Sequence, residues 1–147
     1  GSPKALVILV EFQDVKFKTS DPVATFTHYL KGAEGEAAPE ANNAYVTKGM
    51  VNYGSVSQYF NDMSQGKFTP QFDIVGPVTV SKNSAYYGGN IGKATDVNFA
   101  QMIAEACKSV SDKVNFADYD QNNDGYVDLV YVIYAGYSES INGNSSD

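Results

Sequence analysis

The sequence is poor in the residues from which most metal and disulfide sites are built. Its 147 residues include one histidine, one cysteine and no tryptophan. A single histidine, His28, excludes an H-E-x-x-H zinc helix within these residues, and a single cysteine, Cys107, excludes an internal disulfide or a cysteine-rich zinc site. A Ser-His-Asp triad would have to use His28, and no G-x-S-x-G nucleophile motif occurs. The chain therefore holds no complete motif for zinc or serine hydrolase chemistry.

Positive charge is scarce as well. Ten Lys and Arg residues stand against 17 Asp and Glu residues, a net charge of −7, which argues against a nucleic-acid partner because such partners require a basic face. The longest apolar run, Ala5 to Val10, is far shorter than the roughly 20 residues of a membrane span. No signal peptide is recognisable, so we expect a mature or trimmed segment. The length fits one domain over residues 1–147.

Apolar patterns predict three strand regions. The near-continuous apolar run from Ala5 to Phe12 is typical of a strand buried on both faces. Alternation between Lys67 and Val80 predicts two short strands that are interrupted at Gly76-Pro77, and the run from Tyr126 to Ala135 predicts a last strand. Residues 84–93 are predicted to be a loop with aromatic anchors.

Helical spacing predicts three helices between these strands. One begins at Asp21-Pro22, a second follows an N-cap at Ser55 and ends at Gly66 as its C′ glycine, and a third covers Asp96 to Lys113. The second helix carries an apolar stripe at Val56, Tyr59, Phe60 and Met63. Residues 32–53 are predicted to form a surface insertion loop, and residues 138–147 a polar tail. The element order predicts an α/β (α+β) fold with a twisted mixed sheet backed by helices.

The strongest chemical signal is an acidic segment from Asp118 to Asp128. Oxygen-bearing side chains recur at every second residue and a glycine follows, a spacing that curls a loop around Ca²⁺. Counting from Asp120, the side chains of Asn122 and Asp124 take loop positions 3 and 5, and Gly125 provides the turn. The candidate calcium ligands are Asp118, Asp120, Asn122, Asp124, the carbonyl of Tyr126, and Asp128.

The match to an EF-hand is incomplete. Position 12 is Tyr131 instead of a bidentate glutamate, and a strand is predicted after the glycine where an EF-hand has a helix. Four aspartates in eleven residues repel one another without a cation, so metal removal is expected to loosen the loop. An Asx-rich turn without metal is the alternative, because Asp, Asn and Gly dominate turns in general.

Other candidates have simpler interpretations. His28 is interpreted as a surface or packing residue of its helix, and Cys107 as a small buried apolar residue. Asp14 has a possible capping or ion-binding role, which we do not adopt. Four tyrosines are interpreted as part of a sheet packing pattern, with a carbohydrate-stacking platform as the alternative: Tyr126, Tyr131, Tyr134 and Tyr137.

Several segments together resemble the immune inhibitor A-type zinc metallopeptidases, metallopeptidase family six. The first strand, Lys4 to Asp14, resembles the opening strand of that family. The stretch Gly54 to Phe60 with Ser64 to Phe68 resembles its GSV-x-x-YF…S-x-GKF segment. Further matching segments follow in the same order: Val75 to Val78, Tyr86 to Gly88, Asp118 to Asp128, and Val132 to Gly136. The resemblance covers nearly the whole chain, from about Lys4 to Tyr137.

The resemblance implies that these residues form the N-terminal part of a peptidase catalytic domain and resemble a zincin-type N-terminal subdomain. In that family an H-E-x-x-H helix follows, whose two histidines hold zinc and whose glutamate acts as general base. No residue of this chain matches that motif, so no catalytic residue is assigned and zinc is implied only outside these 147 residues. The resemblance also implies peptide substrates and a secreted or extracytoplasmic bacterial protein.

Two functions remain open at this point. One is the N-terminal scaffold of a secreted zinc metalloendopeptidase, inactive alone, whose main partner is the C-terminal half of its own catalytic domain. The other is a non-enzymatic calcium-dependent binding or adhesion module on the same scaffold. An H-E-x-x-H motif encoded shortly after Asp147 would favour the first. An unpaired sheet edge and exposed apolar surface also predict self-association, which sedimentation at high concentration tests.

Overall fold

The computed structural model describes residues 1–33 and 54–137. A short 3₁₀ turn, Phe116–Tyr119, precedes the last strand. In chain order, the strands and helices are β1 Lys4–Glu11, α1 Pro22–Lys31, α2 Val56–Met63, β2 Gln71–Thr79, α3 Ser84–Tyr87, α4 Phe99–Val110 and β3 Val130–Tyr134.

The three strands form one sheet in the order β2-β1-β3. The amide of Gln71 donates to the Pro3 carbonyl (2.9 Å), and the amide of Val80 donates to the Glu11 carbonyl (2.9 Å). Both partners advance along the chain together, so β1 and β2 are parallel. The described sheet is a three-stranded parallel sheet, and the predicted α/β class is confirmed. The apolar run of β1 lies in the centre of the sheet, and its residues from Ala5 to Val10 are all buried.

The chain divides into two compact units, and each of the three strands contributes residues to both. Unit 1 comprises residues 1–7, 18–75 and 116–131, and unit 2 comprises residues 8–17, 76–115 and 132–147. Unit 1 contains α1 and α2, which contact each other. Unit 2 contains α3 and α4, which are also in contact.

Two of the strand predictions require correction. The segment predicted as two strands is a single strand, β2, which continues through the cis Gly76-Pro77 bond. Gly76 has φ +108°, and a Cβ atom there would lie 2.6 Å from the Leu9 carbonyl oxygen, so glycine permits the close approach of the two strands. The last strand begins at Val130, not Tyr126, because the preceding residues belong to the acidic loop.

The first two helices begin where the sequence predicts. The Asp21 carboxylate caps α1 by accepting from the Ala24 amide (2.9 Å), and the Ser55 hydroxyl caps α2 by accepting from the Gln58 amide (3.2 Å). However, α2 ends at Met63, before the predicted C′ glycine. The predicted apolar stripe of α2 does not enter a core, since no residue of this helix is buried.

The last helix is shorter than predicted. It covers Phe99–Val110, and Asp96 lies before its N-cap with φ +49°. One face of this helix is apolar and buried, at Met102, Ala106 and Val110. The predicted loop at residues 84–93 begins with the one-turn helix α3, whose Tyr87 is buried and does act as an aromatic anchor.

Two predictions concern residues that the structure does not describe. The surface insertion loop predicted for residues 32–53 is described only at Gly32 and Ala33, and the polar tail predicted for residues 138–147 lies outside the described residues. Within residues 1–33 and 54–137, no helix is both long enough and apolar enough to cross a membrane.

Candidate functional site

The acidic loop, residues 118–128, lies in unit 1 between the 3₁₀ turn and β3. Its first half is organised around the amide of Asp124. That amide donates to Asp120 Oδ1 (3.1 Å) and to Asn122 Oδ1 (2.9 Å), so both side-chain oxygens lie at one backbone nitrogen. Asp120 Oδ2 also accepts from the Gly125 amide (2.8 Å). The Asn122 contact is an Asx turn, in which a side-chain oxygen replaces a backbone acceptor, whereas the Asp120 carboxylate reaches amides four and five residues along the loop.

The second half of the loop reverses the chain. Asp124 Oδ1 accepts from the Tyr126 amide (2.9 Å), and Asp124 Oδ2 accepts from Asn122 Nδ2 (3.0 Å). Asn123 and Gly125 adopt positive φ values of 59° and 88°, a conformation that asparagine and glycine tolerate best. The residue types in this sequence therefore suit the reversal that the backbone makes.

The ends of the loop are joined by Asp128. Its amide donates to the Tyr119 carbonyl (3.0 Å), and its Oδ2 accepts from the Gln121 amide (2.8 Å). The Gln121 side chain in turn donates from Nε2 to the carbonyl of Lys4 on β1 (3.3 Å). The loop is thus closed on itself and anchored to the first strand.

A second anchor is the buried side chain of Tyr119. Its hydroxyl donates to Asp73 Oδ2 on β2 (3.0 Å). Burial raises the pKa of Tyr119 to about 12, and the hydrogen bond and negative charge of Asp73 act in the same direction. This pair was not predicted from the sequence. The only available signal is that Asp73 interrupts an apolar strand.

The structure brings some of the predicted ligands together and separates others. Asp120, Asn122 and Asp124 share a set of backbone amides, whereas Asp128 contacts Gln121 and Asp118 lies exposed in the 3₁₀ turn. Tyr126 is 78% exposed. Among the described residues, no group of three or more His, Cys, Asp or Glu side chains is arranged to hold a metal ion. The residues present therefore do not fit a zinc site, and the hard oxygen donors of the loop match calcium in their chemistry alone.

A groove of about 540 Å³ adjoins the loop within unit 1. Most of its surface is apolar, and Gln121, Asn122 and Asp128 of the loop contribute polar groups. Its remaining lining residues come from β1, α2, β2, β3 and the segments beside them: Pro3, Lys4, Ala5, Phe60, Phe68, Pro70, Phe72, Leu129 and Tyr131. This groove was not predicted from the sequence.

The remaining candidates are ordinary structural residues. His28 is 3% exposed in α1, in agreement with a packing role. Burial raises the pKa of the Cys107 thiol, which disfavours the reactive thiolate. Of the four tyrosines, only Tyr131 and Tyr134 lie in β3.

Unit 2 contains a polar cluster that the sequence analysis did not predict. Glu105 on α4 accepts from the amide of Ser81 (2.9 Å), the hydroxyl of Tyr87 (3.0 Å) and the side chain of Gln101 (2.9 Å). These donors, led by the Ser81 amide, hold the pKa of Glu105 below its usual value, although burial opposes them. The cluster joins α3, α4 and the segment after β2, so its role is structural.

Comparison with known proteins finds a family match over nearly the whole chain. The family model of the immune inhibitor A peptidase M6 catalytic domain matches residues 1–146. Two relatives are the pre-pro-metalloprotease PrtV of Vibrio cholerae serotype O1, from strain M66-2 and from strain ATCC 39315 (El Tor Inaba N16961). Each is 24% identical to this chain over 160 residues, which cover 95% of the chain but 17% of the relative. The resemblance seen in the sequence is confirmed, and the chain belongs to the immune inhibitor A peptidase M6 family.

Proposed function

We propose that this chain is a scaffold part of a zinc metallopeptidase catalytic domain and that the zinc ligands come from elsewhere in the protein. The family match over residues 1–146 carries this proposal. A peptidase zinc site needs three protein ligands and an open position for water. This chain has one histidine, which is too few for a peptidase zinc site of this family, so the chain is expected to be inactive alone.

The activity belongs to the whole protein. The chain spans about a sixth of the length of the PrtV relatives. The C-terminal half of the same catalytic domain would supply two histidines and the general base, and proteins or peptides are the substrates. Sequencing the coding region beyond Asp147 tests this directly, since an H-E-x-x-H motif within a few tens of codons is expected. If that region lacks the motif, a non-enzymatic binding module on the same scaffold becomes the better proposal.

The acidic loop is proposed to bind calcium. Asp120, Asn122, Asp124, the Tyr126 carbonyl and Asp128 supply hard oxygen donors, and Asp118 completes the set from the 3₁₀ turn. The hydrogen bonds that hold Asp120 and Asn122 at the Asp124 amide support the proposal, because they fix two donors side by side. An Asx-rich turn makes the same hydrogen bonds without metal, so a binding measurement has to separate the two.

Thermal melting with chelator and with added calcium provides that test. Calcium that binds the folded loop stabilises the protein by mass action, by about 2.7 kcal/mol when its concentration is 100 times Kd. The melting temperature is therefore expected to rise with calcium. The double variant Asp120→Asn, Asp124→Asn is expected to lose the rise, whereas Asp112→Asn, outside the loop, keeps it. An equal melting temperature with chelator and with calcium would leave the Asx turn as the explanation.

Location and self-association follow as further proposals. The names of the bacterial relatives describe pre-pro-metalloproteases, which supports an exported protein. Exposed apolar side chains on α2, with Tyr59 60% and Met63 69% exposed, support the self-association expected from the sequence. A monomeric sedimentation profile at high concentration would contradict self-association.

A further inference from the structure

The groove of unit 1 has an aromatic lining that remains open to solvent. Phe60 and Phe68 contact each other with ring centroids 5.6 Å apart, and Phe72 and Tyr131 with centroids 6.0 Å apart. Phe60, Phe68 and Tyr131 are 37–43% exposed. Four aromatic rings in one concave surface provide both apolar contact area and negatively polarised ring faces.

Asp128 is the one carboxylate in the lining of the groove, where it lies with the side-chain amides of Gln121 and Asn122. Asp128 Oδ2 is held by the Gln121 amide, whereas Asp128 Oδ1 and Gln121 Oε1 accept no hydrogen bond from any residue in the described ranges. The loop that supplies Asp128 also carries the carboxylates of Asp118, Asp120 and Asp124. Lys4 is the one cationic residue in the lining. It is exposed and forms no ion pair with the described residues, so its ammonium group is free to extend into solvent.

We propose that this groove binds an arginine side chain of a polypeptide, with its aliphatic stem on the aromatic rings and its guanidinium at Asp128 and Gln121. The negative potential of the loop favours a cation over a neutral or anionic ligand. A guanidinium is planar, stacks on aromatic rings and donates several parallel hydrogen bonds to a carboxylate. The apolar stem of a long basic side chain matches a groove that is mostly apolar with a polar edge. This binding site is additional to the proposed scaffold role and requires no zinc.

The experiment uses two fluorescent peptides of the same length, built from Gly and Ser around one central residue. One carries arginine and the other carries citrulline, which has nearly the same shape but no charge. Affinity is measured by fluorescence anisotropy in chelator, because Asp128 is also a proposed calcium ligand and bound calcium would compete with the guanidinium. The arginine peptide is expected to bind at least about tenfold more tightly, in line with the greater strength of charge-assisted hydrogen bonds. Equal affinities, or no binding of either peptide, would overturn the proposal.

Three variants test the assignment of residues. Asp128→Asn keeps an acceptor for the Gln121 amide but removes the charge, and is expected to abolish the preference for arginine over citrulline. Lys4→Gln removes the opposing cation and is expected to strengthen arginine binding by two- to fivefold, since surface charge interactions are weak. Phe68→Leu is expected to lower the affinity for both peptides equally, because it removes contact with an aromatic ring and changes no charge.

Met63→Ala is the matched control, because Met63 is an exposed apolar residue of α2 that does not line the groove. Circular dichroism of each variant shows whether it is folded. A folded Asp128→Asn variant that still prefers arginine would overturn the proposal. Weaker arginine binding by Lys4→Gln would do the same, since it would show that the Lys4 ammonium does not oppose the bound side chain. Failure of the calcium proposal would appear in the melting experiment and would leave these measurements unaffected.

Discussion

At the scale of single residues, the contact between Tyr119 and Asp73 has the clearest energetic consequence. The Tyr119 hydroxyl donates to the Asp73 carboxylate, and the Tyr119 carbonyl accepts from the amide of Asp128. One residue therefore joins β2 to the end of the acidic loop. Burial raises the pKa of Tyr119 to about 12, and the hydrogen bond to the Asp73 carboxylate 3.0 Å away, together with its negative charge, acts in the same direction.

Alkaline unfolding measures this contact. In the unfolded chain the phenol ionises near its usual pKa of 10, so the stabilisation is fully present below pH 10 and is lost as the pH rises through about 12. A pKa increase of this size corresponds to a contribution to the free energy of unfolding on the order of 2–3 kcal/mol. We expect the difference in unfolding free energy between wild type and Tyr119→Phe to shrink by that order from pH 9 to pH 12 in urea titrations. Tyr126→Phe, at an exposed position, is the control and should show no such trend, and a constant Tyr119→Phe difference would contradict the assignment.

Local residue patterns were predictable from the sequence, and distant partners were not. The spacing of Asp, Asn and Gly from Asp120 to Gly125 indicated a tight turn because these residues bond to their own neighbouring backbone. Tyr119 and Asp73 are 46 positions apart, and Glu105 and Ser81 are 24 positions apart. Nothing in the local sequence of either partner reveals such a pair.

At the scale of elements, the end of α2 shows how a glycine can mark a helix end without being its C′ residue. The Gly66 amide donates to the Asn61 carbonyl (2.7 Å), and the Gln65 amide donates to the Asp62 carbonyl (3.0 Å), the two bonds of a Schellman motif. Gln65 is therefore the C′ residue, and it adopts φ +55°. Glycine is favoured at C′ because other residues are strained in this conformation.

Gln65→Gly is consequently expected to stabilise the protein. Glycine removes the backbone strain of the left-handed conformation at this position, and this gain exceeds the cost of its greater backbone entropy in the unfolded chain. The free energy of unfolding is therefore expected to increase by roughly 0.5–1 kcal/mol. Gln58→Gly, inside the same helix, is the matched control and is expected to destabilise by about 1 kcal/mol. Urea denaturation of both variants gives the comparison. Destabilisation by Gln65→Gly equal to that of Gln58→Gly would show that the strain at Gln65 has no energetic cost.

The elements themselves were largely predictable, but their limits were set by tertiary contacts. The apolar run of β1 and the N-caps at Asp21 and Ser55 were recognised because each signal is local. The continuity of β2 was not recognised, since Gly-Pro is a common turn signal and only the neighbouring Leu9 explains the glycine. The apolar stripe on α2 does not show in the sequence what covers it, and in the structure its residues are partly exposed and Phe60 lines a groove.

At the scale of the whole molecule, contacts between distant segments form a groove that could not be predicted from the sequence. The groove of unit 1 is lined by residues from three separate regions, residues 3–5, 60–72 and 121–131. The composition shows only that aromatic residues are common, at 13%. The parallel sheet joins distant segments, because each parallel pairing requires a long connection between strands. The family signal, by contrast, is distributed along the chain and could be recognised from the order of its motifs.

The scarcity of histidine and cysteine leads to a prediction for the isolated chain. His28 is buried in α1, and Cys107 lies on α4 of the other unit with a raised thiol pKa, so neither residue offers an accessible ligand beside a second one. A peptidase zinc ion needs three ligands held in one place and a base beside the bound water. We therefore expect the purified chain to show no hydrolysis of a fluorogenic peptide or of casein when zinc is added. A known zinc peptidase in the same buffer verifies the assay. Hydrolysis that copurifies with the chain, is abolished by chelator and returns with zinc would contradict the scaffold assignment, because it would require a site that one histidine cannot provide.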